Sequence, residues 1–439
     1  MKQPKCFEIA PDEPTMFVEI HILQNFSPAN LNRGDTGAPK DCTFGGYRRA
    51  RISSQCLKRA IRHHDEFKKT VKAAGGDTGV RTKRLIKELT DILTKKADKY
   101  QEQASTAAEN VLNCLVFGFT EEQKSEYLLY FGNSEIDRFV EVAVDNWEII
   151  SKPIVERNNS KGKPKTVKQI KDEQKKLCNP KETTELKKVH QKLEDVVSKE
   201  KLYGSDIALF GRMMADHKNM NVDAACQVAH AISTNEVAME MDFYTAIDDL
   251  LPDEETGSDM MGIVEFNSSC FYRYAQINLG ILNRNLAKEE EDRKEEDKKA
   301  EDKEMAIAAV LGFLKASVYA VPSGMQNSLT AQNPPSYVRV LIRSQGSPWA
   351  LTNAFIAPVR VKRNDTESLI DKSIQRLEEY MLKLQEFYEE SFDVDLVTSV
   401  DLPKKRQDKD LPPNQSFPEL VAAVEKHLQT NWLTMKETE

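Results

Sequence analysis

The 439-residue chain has no run of about 18 apolar residues, the length a membrane-spanning helix needs. Its first stretch, Met1 to Met16, lacks the apolar core of a secretory leader, and Met16 is a plausible alternative start because strand-like sequence begins just after it. No membrane partner is expected, and the expected location is the cytoplasm. Seven cysteines (positions 6, 42, 56, 114, 178, 226 and 270) contain no Cys-x-x-Cys pair. That argues against a zinc site or disulfide framework and for buried thiols in a reducing compartment. There is no GxxxxGK[ST] loop, no GxSxG, no HExxH and no defensible Ser/His/Asp set. No cofactor and no catalytic role are expected. Excess positive charge is missing too: 62 Lys+Arg stand against 70 Asp+Glu, a net −8. Indiscriminate adhesion to nucleic acid is thereby disfavoured, and any such binding must be local.

The positive charge that exists is gathered. Asn32 to His64 carries Arg33, Lys40, Arg48, Arg49, Arg51, Lys58, Arg59 and Arg62 against only Asp35 and Asp41, a local +6. Such an island points to a site for an anion. Within it, Ser53-Ser54-Gln55 precedes apolar Leu57, Ala60 and Ile61, the signature of a helix N-terminus. Unpaired backbone N–H groups and the positive end of the helix dipole suit a phosphate there. Lys58 and Arg62 are four apart and Arg59 and Arg62 three apart, so they share a flank. Gly45-Gly46 either lets the backbone approach a ligand or makes a turn. An ordinary solvated basic helix face would carry the same charges; the cap and the glycine pair favour a polyanion surface.

Along the chain, Met16–Leu23 alternates as a half-buried strand with His21 on its face, and Tyr47–Ser53 reads as a second strand. Residues 84–94, 97–117, 121–130 and 134–147 show helical spacing. Ser151 to Lys201 holds 15 Lys/Arg and 8 Asp/Glu, a basic loop running into surface helices near 169–177 and 184–198. A strand is expected at Ile207–Phe210 and a helix around Ala224–Ile232. Arg212, beside Met213 and Met214, is either a snorkelling core-edge arginine or a phosphate clamp next to an apolar wedge. Met239 to Ser269 reads as a long hairpin with an exposed tip, where Phe243 and Tyr244 serve either its own packing or base stacking. Adjacent Asp248 and Asp249 point to opposite faces of a strand, which discounts a metal site. Strands follow at 271–279 and 337–342, with an acidic helical stretch at 289–304 and helices at 370–390 and 417–430. These elements predict an α+β chain: a small antiparallel sheet with helices on one side.

The run from Ile20 to Arg62, including IHIL, NLNRGDTGAPKD and FGGYRRARISSQCLKRAIR, closely resembles the start of the type I-E CRISPR Cascade backbone subunits, the CasC family of the RAMP superfamily. Similarity returns in the family's order at DIALFGRM, VAHAIST, DFYTAIDDL and EFNSSCFYRYAQINL, then more weakly at PPSYVRV and SPWALTNAF. The resemblance implies a hand-shaped protein: a modified RRM/ferredoxin-like antiparallel sheet (palm), a helical finger insertion and a protruding β-hairpin thumb. On this chain the palm takes residues 16–62, 205–238 and 270–360. The fingers take 63–204, with a basic insertion at 151–201, and the thumb takes 239–269. An acidic insertion lies at 286–304 and a C-terminal helical region at 361–439.

In such a family, copies stack in a helical filament along the spacer of a guide RNA (crRNA), beside other Cascade subunits. Each thumb folds over the RNA and turns one nucleotide out at regular intervals, leaving segments free to pair with target DNA. Lys40, Ser53, Gln55, Lys58, Arg59 and Arg62 match the implied guide-phosphate contacts, with Arg33 a weaker member. Met213, with Gly211-Arg212, resembles the apolar wedge beside the kinked nucleotide, and Phe243, Tyr244 and Thr245 resemble the thumb residues at the kink. The family usually has Trp-Phe where this chain has Phe243-Tyr244, and the two insertions have no placed counterpart. Contacts to phosphate and shape hold any guide, while base pairing supplies specificity. Two other classes stand beside this expectation: a metal-dependent ribonuclease using Asp35, as in related target-RNA-cleaving backbone subunits, and a purely structural scaffold.

Overall fold

The computed structural model describes residues 16–96, 100–120, 122–155, 165–177, 185–198, 203–214, 217–247, 258–287, 295–403 and 411–435. The chain is α+β, and its main feature is one nine-stranded antiparallel sheet. In chain order its strands are β1 (Phe17–Ala29), β2 (Asp41–Phe44) and β3 (Tyr47–Ile52). A separate two-stranded ribbon, β4 (Gly79–Thr82) with β5 (Leu129–Gly132), interrupts the series. The sheet resumes with β6 (Cys226–Val228), β7 (Ala231–Ser233), β8 (Glu240–Ile247), β9 (Ser258–Asn278), β10 (Tyr337–Arg343) and β11 (Val394–Ser399). The spatial order is β11-β10-β1-β9-β7-β3-β2, and β6 and β8 also pair with β9.

Two compact units divide the chain. One comprises residues up to 70, 226–280 and 307–439 and holds the whole sheet; the other comprises 71–225 and 281–306. In the second unit, helices Leu85–Lys96, Ala104–Cys114, Asn133–Asp145 and Glu185–Ser198 bury a core that includes Leu89, Val111, Phe139 and Leu193. Among the described residues no helix is long and apolar enough to cross a membrane.

β1 lies inside the sheet, paired on both edges, and helices cover both faces, not one. Ile20, Ile22, Ala275, Leu57, Ile61 and Ser317 meet on one side. On the other, Leu23, Tyr272, Tyr337 and Leu341 pack against Ile374, Leu377 and Met381 of helix Leu369–Tyr388. The alternation of polar and apolar residues in β1 therefore marks two buried faces rather than one wet and one dry. Glu19 and His21 are fully buried. Glu19 is ion-paired with Arg343, Oε1 lying 2.7 Å from Nε, and its Oε2 accepts from the Trp349 N–H at 2.6 Å and from the Tyr274 hydroxyl at 3.1 Å. The Leu351 N–H donates to Tyr272 Oη, which leaves that hydroxyl to donate to His21 Nδ1 at 2.9 Å. Burial, with Arg339 and Arg343 close by, holds His21 well below its ordinary pKa, so it stays neutral.

Several local expectations fail for identifiable reasons. Ser205–Phe210 is a helix, not a strand; a short apolar run does not distinguish the two. Asp206 Oδ1 accepts from the Gly79 N–H, and Gly211, at φ +78°, ends the turn. The predicted helix at 224–232 is two strands, β6 and β7, because pairing with β9 outweighs local helix preference. Residues 122–128 form turns leading into β5 rather than a helix. β2 and β11 were not anticipated. The two arms of the predicted hairpin over 239–269 are present and paired, its tip at 248–257 lying outside the described residues, and its return arm runs unbroken into the sheet as the 21-residue β9. Glu295–Tyr319 forms one helix, and Cys42, Cys56, Cys226 and Cys270 are free thiols.

Gly45 and Gly46 make the two-residue turn between β2 and β3, at φ +61° and +83°. The close backbone approach is to the chain itself: a Cβ on Gly45 would lie 2.1 Å from the Ile356 carbonyl oxygen, whereas Gly46 has nothing within 4 Å. Asn tolerates this backbone region. Gly46→Asn is therefore expected to change stability by no more than about 1 kcal/mol, and Gly45→Asn to cost about 3 kcal/mol in urea unfolding. Equal losses would show that the turn conformation, not the contact with Ile356, governs this corner.

Candidate nucleic-acid interface

Helix α1 (Ser54–His63) starts where its sequence says it should. Ser53 is the N-cap, its Oγ accepting from the Cys56 N–H, and its own N–H donates to Asn32 Oδ1 at 2.9 Å. The side chain of Asn30 donates both to the Gly37 carbonyl at 3.0 Å and to the Glu265 carbonyl at 2.9 Å. These two asparagines tie the loop carrying Arg33 and Lys40 to the start of α1 and to β9. Within the loop Arg33 bridges to Pro39, and the Lys40 carbonyl accepts from the Arg51 N–H at 2.9 Å. Leu57 and Ile61 are buried against the sheet, each worth about 1.5–3 kcal/mol. That leaves Lys58, Arg59 and Arg62 on the remaining arc, with Gln55 and Arg59 exposed and Lys58 and Arg62 half-buried. Burial pushes the Cys56 thiol up while Lys40 and Arg59 pull it down, which places both cations within electrostatic reach of one side chain. The structure thus gathers Lys40, Ser53, Gln55, Lys58, Arg59 and Arg62 around α1. Arg33 is exposed, its guanidinium 3.9 Å from Met325 Sδ.

Not all of the basic island contributes to that surface. Arg49 is fully buried and donates to the carbonyls of Ser233, Thr234, Phe355 and Ile356 at 2.6–3.1 Å. Arg48 is ion-paired with Asp41. Both serve the sheet edge.

The β8–β9 hairpin divides its predicted contact residues between two faces. Phe243 pairs with Ile263 and Thr245 with Met261, so these four share a face with Met241. Phe243 is 60% exposed, and Met241, Met261 and Ile263 are exposed beside it. Tyr244 points the other way, its ring covering Gly262, where a Cβ would lie 2.4 Å from the ring. Phe243 and Tyr244 therefore cannot enter one base step from the same side. Residues 239–269 contain nine Asp/Glu and no Lys or Arg, so the hairpin offers a polyanion apolar contact and no charge attraction. Asp248 and Asp249 lie outside the described residues.

In the other unit, Arg212–Met214 alternates in, out, in. Arg212 is buried: Nη1 lies 2.9 Å from both Glu135 carboxylate oxygens and 3.2 Å from the Tyr130 carbonyl, and Nε donates to the Met220 carbonyl. Its guanidinium covers the rings of Phe131 and Tyr203. Met214 is buried and its N–H donates to Asn221 Oδ1 at 2.6 Å. Met213, between them, is 87% exposed. Arg212 as a phosphate clamp is corrected here: its charge is committed to a buried carboxylate, and it acts as an anchor. Asp35 sits exposed in the Arg33–Pro39 loop, and among the described residues no three His, Cys, Asp or Glu side chains are grouped to hold a metal ion.

The family model for CT1975-like proteins matches residues 18–423. The chain belongs to the CT1975-like protein family. No curated protein matches it. Among solved structures, a chain described as "CRISPR RNA-guided surveillance complex, pre-nicking" is 28% identical, with a TM-score of 0.71 over 94% of this chain and 100% of that one. A second, described as "CRISPR RNA-guided surveillance complex", is 22% identical with a TM-score of 0.62, covering 94% and 99%, and bears on the fold alone. The likeness to Cascade backbone subunits, read first from sequence blocks, is borne out by the family match and the structural likeness.

In this CT1975-like chain, sequence reasoning missed Met241, Met261 and Ile263, which only the β8–β9 register places beside Phe243. It also missed His230, which returns to the start of α1 through β6 and β7. The anchoring of Met213 is open to measurement. Removing the charge of Glu135 with Glu135→Gln leaves a buried guanidinium uncompensated and should cost about 3–5 kcal/mol in urea unfolding. Met213→Ser, at an exposed position, should stay within about 0.5 kcal/mol. A small loss for Glu135→Gln would contradict the anchoring role of Arg212.

Proposed function

We propose that this chain is a guide-RNA-binding backbone subunit of a Cascade-type surveillance complex, acting without catalysis in the cytoplasm. Copies of it polymerise along the spacer of a crRNA beside other Cascade subunits, and the guide pairs with target DNA. On this reading the sheet is the palm, the helical unit the fingers and the β8–β9 hairpin the thumb. The observation that carries it is α1: a helix pinned to the sheet by Leu57 and Ile61, with Lys58, Arg59 and Arg62 on its outer arc and Lys40 tied beside it. Such cations hold a ribose-phosphate strand whatever its bases. The apolar face of Phe243, Met261 and Ile263 suits an unstacked base and has no use for phosphate. The resulting division supports a kinked strand: charge along the backbone and an uncharged wedge at intervals.

Each cation neutralising one phosphate of a single strand contributes about 0.7 to the slope of log K against log salt. The variant Lys40→Ala/Lys58→Ala/Arg59→Ala/Arg62→Ala should therefore flatten that slope by about 3 and yield particles stripped of RNA, with the fold unchanged by circular dichroism. Particles of this variant that retain guide RNA at wild-type levels would overturn the reading. Regular cleavage of a complementary RNA in Mg²⁺ by the intact complex would instead revive the ribonuclease assignment of Asp35.

A further inference from the structure

The sequence suggests a phosphate on free N–H groups at the start of α1, yet most of those groups are already engaged. The Cys56 N–H goes to Ser53 Oγ, and the Ser54 N–H goes to His230 Nδ1 at 3.2 Å. His230 lies between β6 and β7, and pairing of both strands with β9 returns it across 176 residues to the helix. A backbone N–H only donates, so Nδ1 is the acceptor and the proton of the neutral ring sits on Nε2. Arg51 Nη1 lies 3.3 Å from the same Nδ1, a second donor aimed at that lone pair. Burial, then Arg51 and Lys40, hold the ring below its ordinary pKa, which agrees with the neutral form this geometry requires. The residue is exposed, and no described residue takes the hydrogen on Nε2.

We propose that His230 is a further guide contact, one that passes the N-terminal donor of α1 outward by presenting Nε2–H to a backbone oxygen of single-stranded RNA beside Lys40. This rests on the RNA-binding reading above and adds a contact of a different kind. A neutral donor positions the strand without releasing counterions, so its contribution should be blind to salt. It should also be flat with pH above neutrality, because the ring is uncharged there.

The test is a fluorescence titration of the purified protein with single-stranded RNA of mixed sequence across a salt series. His230→Asn keeps an acceptor for the Ser54 N–H but falls short of the Nε2 position, whereas His230→Gln places an amide donor there. His230→Asn should weaken binding roughly tenfold with an unchanged salt slope, and His230→Gln should recover most of the loss. Lys40→Ala, in contrast, should lower the slope by about 0.7. Wild-type affinity for His230→Asn overturns the proposal, as does a fall in its salt slope, which would mark the ring as a cation. A failure of His230 alone, with the lysine and arginine variants still losing RNA, leaves the RNA-binding reading standing. Absence of binding by the unmodified protein removes both.

Discussion

The pairing of β1 with β9 is the constraint on which the rest of the sheet unit hangs. Phe17–Phe26 run antiparallel to Ser269–Asn278 without a break, and after a bulge Ala29 pairs with Asn267. β9 then continues past the sheet and forms one arm of the hairpin with β8. The projecting arm is therefore the free half of a strand whose other half is held on both edges. Where β1 ends, Asn30 binds the Glu265 carbonyl and Asn32 receives the Ser53 N–H. Hairpin, basic loop and α1 thus take their positions from one ladder, and a slip in it would displace all three together.

A central strand covered on both faces must find internal partners for every polar side chain it carries. Glu19 has Arg343, His21 has Tyr272, and Arg339 is bridged by Asp395. The Arg343 guanidinium also lies over the rings of Trp349 and Phe392, 4.6 and 4.7 Å from their centroids. Buried pairs of this kind add little net stability over an apolar core. Their consequence is selectivity. A one-residue shift of β1 would turn Glu19 and His21 away from Arg343 and Tyr272 and toward Leu57 and Ile61, which disfavours the slipped register. The same register sets which hairpin residues face which way.

Charge and apolar surface are kept on different elements. The cations stand on α1 and the loop before it, each tied down by backbone hydrogen bonds, while the hairpin has no cation at all. A hairpin of net negative charge does not attract a phosphate chain; what it offers is Phe243, Met261 and Ile263 on one face and Tyr244 on the other. On the proposed reading, affinity comes from the first group and strand geometry from the second, which lets a guide of any sequence be held. Arg49 and Arg212 belong to neither: both are buried, one on carbonyls and the other on Glu135, and their role is to fix backbone.

Local chemistry alone determined the start of α1, the turn at Gly45-Gly46, the two arms of the hairpin and the longer helices of the second unit, though not its short helix Ser205–Phe210, because caps, left-handed glycines and periodicity act within a few residues of themselves. The blocks shared with Cascade backbone subunits were equally plain. What the chain could not reveal by itself was whether Arg48, Arg49 and Arg212 face water or a partner, since Asp41, Ser233 and Glu135 become neighbours only after folding. Ala224–Ile232 became strands for the same reason: β9 offered hydrogen bonds that a short helix could not match. His230 at the cap of α1 and Ile263 beside Phe243 are products of strand register, a property of two segments together that neither sequence carries alone.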